Sequence, residues 1–130
     1  MSEENVEIVR RALDAWNRRQ FDDVLRYCQT DLEVRTISAV GGRTFRGHAE
    51  IKAFWMTFFD SFDELWQEPT EFVEGGDQVA VVIRWHGRGR DGIALDQSIV
   101  DLYTLQEGMI ARLEGFESKS AALEAAGLSE

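Results

Sequence analysis

The chain has 130 residues, 44% of them hydrophobic and 29% charged, with four Trp and eight Phe, which is the profile of a globular domain able to bury a core. Fourteen basic residues stand against 24 acidic ones, a net charge of -10, so phosphate-rich surfaces such as nucleic acid and anionic membranes are poor partners. A lone cysteine, Cys28, excludes an internal disulfide and a multi-thiolate metal site.

Residues Glu3 to Arg19 carry Val6, Val9, Leu13 and Trp16 at helical spacing, which predicts an amphipathic first helix. Phe21, Val24, Leu25 and Cys28 fall on one stripe of a short second helix. The period then becomes two, since Leu32, Val34 and Thr36 alternate with Glu33 and Arg35 as in a half-buried strand. Gly41-Gly42 turns the chain, and Ile51, Phe54, Trp55, Phe58 and Phe62 mark an aromatic third helix after Gly47.

Four strands are expected next. The first covers Leu65 to Glu74, where Pro69 predicts an edge or a bulge. Val79 to Arg88, Leu95 to Leu105 and Met109 to Phe116 follow, separated by the turns Asp91-Gly92 and Gln106-Glu107-Gly108. A last helix from Ser118 to Ala126 is closed by Gly127. No linker or repeat interrupts this order, so one domain over residues 1–130 is expected. The N-terminus has no signal-peptide pattern and no apolar run spans a bilayer, which makes a cytoplasmic location the expectation.

Particular residues within that order resemble the SnoaL-like branch of the nuclear transport factor 2-like superfamily. They are Ala15-Trp16-Asn17, Asp31-Leu32-Glu33-Val34, Phe45-Arg46-Gly47-His48, the run from Leu102 to Gly108, and the run from Ala121 to Leu128. The resemblance implies an α+β fold, a cone-shaped bent mixed or antiparallel sheet wrapped around helices and enclosing an apolar pocket. It also implies a homodimer formed through the sheet face. The superfamily holds ketosteroid isomerases, polyketide cyclases, epoxide hydrolases, transport adaptors and binding proteins, so the fold does not by itself name a reaction.

Asp101 is the candidate catalytic residue. It sits among Ile99, Val100, Leu102 and Tyr103, where a strand has no use for a carboxylate unless a site employs it. Facing a pocket, it would be kept protonated by desolvation and would act as an acid or base. By the resemblance it stands where ketosteroid isomerase keeps its oxyanion-binding aspartic acid. The positions of that enzyme's general base and oxyanion-hole tyrosine fall on Thr36 and Ala12, so its own activity is not implied. The second aspartate of the epoxide hydrolases falls near Gly115, and their Arg-x-Asp is missing before Gly87.

The alternative is a structural Asp101 ion-paired to Arg84, the other charge in an apolar strand. A one-residue choice of register decides whether Arg84 and His86 enter the pocket or Ile83 and Trp85 do. By the resemblance Trp55 replaces a pocket tyrosine of ketosteroid isomerase and Trp16 closes the helix that roofs the pocket, so these two are expected to line it. Phe54 and Tyr103 join the candidate set, and Phe58 and Phe59 read as core. Gly87 to Gly92 spells G-x-G-x-x-G, but a strand rather than a helix follows, so no dinucleotide site is read. The two histidines, His48 and His86, lack metal-ligand spacing, and no metal or other cofactor is expected. Two functions are carried forward. One is a binder of a small apolar or carbonyl-containing molecule that performs isomerase-, cyclase- or lyase-type proton transfer. The other is a non-catalytic binding or structural homodimer.

Overall fold

The computed structural model describes residues 2–37 and 40–128. Helix α1 (Ser2–Asn17) buries Val9, Ala12, Leu13 and Trp16 along one stripe, and Ala15 beside them. It ends in a tight turn, where Arg19 adopts a left-handed φ of 61° and the Gln20 N–H donates to the Ala15 carbonyl at 3.0 Å. Helix α2 (Phe21–Arg26) follows at once and buries Phe21, Val24 and Leu25. Cys28 opens strand β1 (Cys28–Arg35) rather than closing α2, because Tyr27 already caps the helix.

A three-residue strand, β2 (Thr44–Arg46), precedes helix α3 (His48–Asp60) and was not legible as a strand. Gly47 links the two with φ 83°, a conformation that favours glycine, and its N–H donates to the Leu32 carbonyl at 2.9 Å. Ile51, Trp55 and Phe59, four residues apart, form the buried stripe of α3. Phe62 does not belong to that helix; it opens strand β3 (Phe62–Gly75).

Strands β4 (Gln78–Gly89), β5 (Ala94–Gln106) and β6 (Met109–Phe116) continue the antiparallel meander. The six strands form one mixed sheet in the order β2-β1-β6-β5-β4-β3, with β1 running parallel to β6. The sheet curls without closing, so β2 and β3 are its edges. Pro69 lies on edge strand β3 at a register shift between Pro69 and Glu71, where a missing N–H disturbs least.

The inner face of the sheet carries the main core against α1, α2 and α3. On the outer face, helix α4 (Lys119–Ala126) lays Ala122 and Leu123 over Ala80, Val100 and Leu102. The Ser118 hydroxyl caps α4 by accepting from the Ala121 N–H at 3.2 Å, and Gly127 ends it at φ 72°. Burial on both faces explains why Val79 to Ile83 is apolar at every position rather than at alternate ones.

Candidate functional site

The curl of the sheet and the three helices enclose a cavity of about 340 Å³, of the size that holds a small organic molecule. Ala12, Leu13 and Trp16 of α1 and Phe54, Trp55 and Phe58 of α3 form its helical wall. Phe58, read from the sequence as plain core, therefore touches the cavity, whereas Phe59 is packed in the core against Trp16 and Phe21. The sheet wall comes from Trp85 of β4, from alternate residues of β5, namely Leu95, Gln97, Ile99, Asp101 and Tyr103, and from residues of β1, β3 and β6. Arg35 and Gln97 are exposed and also border the space, so it opens to solvent on their side.

Among the described residues only two polar or charged side chains are buried, Gln67 and Asp101, at 5% and 8% exposure. Both line the cavity. Asp101 pairs across the sheet with Val81 on one side and Gly115 on the other. A Cβ at Gly115 would lie 3.6 Å from Asp101 Oδ1 and 2.9 Å from Ile37 Cγ2, so the glycine leaves room beside the carboxyl. No described residue hydrogen-bonds the Asp101 side chain, and burial alone pushes its carboxyl from 3.8 up to about 7. Burial, then the neighbouring Asp101 charge, then Cys28, push the Tyr103 hydroxyl above its ordinary range. Both groups thus hold protons that they can present to a ligand.

The register places Ile83 and Trp85 inside and Arg84 and His86 outside. Arg84 lies opposite Ser98, one strand step out of phase with the Val81–Asp101 pair. It pairs instead with Asp96, donating from Nε at 2.7 Å and Nη2 at 2.8 Å on the exposed surface. An Asp101–Arg84 ion pair is therefore absent, and neither Arg84 nor His86 lines the cavity. His86 stacks on Trp66 with ring centroids 4.2 Å apart and meets Glu68 at 2.8 Å. His48 begins α3 and bonds through Nε2 to the Gln29 carbonyl at 2.8 Å.

Thr36 borders the cavity, but its hydroxyl is occupied by the adjoining loop, accepting from the Arg43 N–H at 3.0 Å. Cys28 also borders it; burial pushes the thiol up to about 12, and the thiol faces the Val24 carbonyl at 3.4 Å. It is a weak nucleophile there. Among the described residues no group of three or more His, Cys, Asp and Glu side chains is placed to hold a metal ion.

Gln67 is the site residue that sequence reasoning missed. Its phase was the available signal, because it alternates with buried Leu65 on the same strand. Its backbone is held by Asn17 at the end of α1. Asn17 Nδ2 donates to the Gln67 carbonyl and the Gln67 N–H donates to Asn17 Oδ1, each at 2.8 Å. The side-chain amide of Asn17 thus takes the place of a neighbouring strand.

Comparison with known proteins agrees with this architecture. A nuclear transport factor 2-like protein of unknown function from Burkholderia pseudomallei superposes with a TM-score of 0.81 at 23% identity, over 93% of this chain and 95% of that one. TerC, crystallised with polyporic acid, gives 0.81 at 25% identity, over 93% and 96%. A Catenulispora acidiphila protein of ketosteroid isomerase-like fold, in complex with trimethylamine, gives 0.77 at 18% identity, over 95% and 94%. No curated protein shows significant sequence similarity to the chain. The profile described as the SnoaL-like domain matches residues 9–113, and with the curled sheet around its cavity this establishes that the chain belongs to the SnoaL-like family.

Proposed function

We propose that the cavity binds a small, mostly apolar, carbonyl-containing molecule and that Asp101 serves as acid or base in a proton transfer of the isomerase, cyclase or lyase kind. The observation that carries the reading is the Asp101 carboxyl itself: buried, without a cationic partner, and facing apolar walls. A protonated carboxyl and the Tyr103 hydroxyl, two residues apart on one face of β5, are donors suited to a carbonyl oxygen that gains charge as an enolate forms. Near neutral pH the carboxylate form of Asp101 is populated too, and it can accept a proton from carbon beside the carbonyl. Small-molecule complexes of TerC and of the Catenulispora protein lend the binding half of this reading support.

A carboxyl-carbon NMR titration of Asp101, with Asp101→Asn as assignment control, is expected to give a value near 7. A value at or below the ordinary 3.8 would end the acid–base reading. Carbonyl compounds that bind would next be followed for hydrogen–deuterium exchange beside the carbonyl, which a purely binding protein would not accelerate.

Pairing of two copies belongs to the same proposal. The outer sheet face beyond α4 carries Trp66, 46% exposed and stacked on His86, which suits an interface. Sedimentation equilibrium should report twice the 14.8 kDa chain mass, and the single-chain mass would remove this part.

A further inference from the structure

The inner sheet face holds a second polar feature, set apart from Asp101. Gln67 Oε1 and Trp85 Nε1 are buried atoms with no hydrogen-bond partner among the described residues, and both side chains line the cavity. No described residue hydrogen-bonds the rest of the Gln67 carboxamide either. Gln67 and Trp85 are directly opposed across β3 and β4, so they stand side by side on one face. An orphaned acceptor and an orphaned donor in one apolar wall cost stability in the empty protein. Neither is free to drift away. Asn17 clamps the Gln67 backbone from both sides, and the Trp85 ring is wedged edge-on against Trp16 and Phe58 at centroid distances of 5.3 and 5.8 Å.

The row of Trp85 and its other partner Gln97 lies four residues along β5 from Asp101. That is about 13 Å along the strand, with Ile83 and Ile99 forming an apolar stretch between. Resting on the reading that the cavity takes an apolar carbonyl compound, we propose that Gln67 and Trp85 form a second polar subsite that selects elongated ligands with a polar group at each end. The far group must both donate and accept: its hydrogen goes to Gln67 Oε1 and its oxygen takes the Trp85 indole N–H. A primary carboxamide, or a hydroxyl beside a carbonyl, has that pattern, whereas a plain hydrocarbon end does not.

The test compares para-acetylbiphenyl with its analogue carrying a carboxamide on the opposite ring, by calorimetric titration of the full chain. Two hydrogen bonds to otherwise unpaired groups predict about tenfold tighter binding of the carboxamide. Its binding should also move the Trp85 indole N–H resonance, identified as the peak lost in Trp85→Phe. Gln67→Met keeps the side-chain length and removes the amide but leaves the Trp85 N–H, so it should cut the preference to about threefold while raising the ligand-free melting temperature by about 2–5 °C. Equal affinities in the native chain, a preference undiminished in Gln67→Met, or a lowered melting temperature in that variant would each overturn the subsite and leave the carbonyl-binding reading standing. Failure of both probes to bind would overturn the two together.

Discussion

Asp101 and Gly115 show how much one position in a strand decides. The missing side chain at 115 is what lets the carboxyl opposite it face open space instead of a neighbour. Gly115→Ala needs no unusual backbone, since the residue's φ is not positive, but its methyl would press on Ile37 Cγ2 at 2.9 Å. Ile37 has to give way, so the variant should lose about 1 kcal/mol in urea unfolding, at the mild end of overpacking. Unchanged stability would show that Ile37 yields freely. Residue chemistry also explains what the sequence hid. Asp101 was visible because a carboxylate amid Ile99, Val100 and Leu102 contradicts its surroundings. Gln67 raises no such contradiction beside Glu68 and Trp66, and its phase with Leu65 is the one trace it leaves in the sequence.

At the scale of elements, the long helices were legible because their period of 3.6 persists over many residues, and the four-strand meander because apolar runs are bounded by turn residues. β2 was not, since three residues in Thr44–Arg46 carry no period, and its pairing to β1 comes from tertiary contact. The inward face of β4 was equally hidden. Ala80 and Val82 are as apolar as Val81 and Ile83, because α4 covers the outer side, so hydrophobicity does not tell one phase from the other. Only the pairing Val81↔Asp101 settles it, and that places Arg84 outside. Asn17 joins two elements that the sequence leaves separate. Removing both of its bonds to Gln67 in Asn17→Ala should cost about 1–3 kcal/mol in urea unfolding. A midpoint equal to the native one would mean that water replaces the amide without loss.

For the whole molecule, a single buried acid gives stability a pH dependence. Burial raises the Asp101 carboxyl from 3.8 in the unfolded chain to about 7, so the folded state holds that proton more tightly. This contribution is full below the unfolded value and is lost as pH rises through the folded one. Relative to Asp101→Asn, whose amide does not titrate, the native chain should lose up to about 4 kcal/mol as the pH rises from below 3.8 to above about 7. Urea unfolding of both proteins across that range checks it, and parallel pH curves would rule it out. A sheet that curls without closing leaves two open borders, and each is defended differently. One border, β2, is only three residues long. The other, β3, has fourteen residues, but it is broken by register shifts after Phe62 and Pro69, it lacks an N–H at the proline, and the Asn17 amide occupies its backbone at Gln67. A foreign strand seeking to extend the sheet therefore meets no long uninterrupted row of free donors and acceptors. The same side chain that holds Gln67 at the cavity wall thus guards the chain against self-templated aggregation.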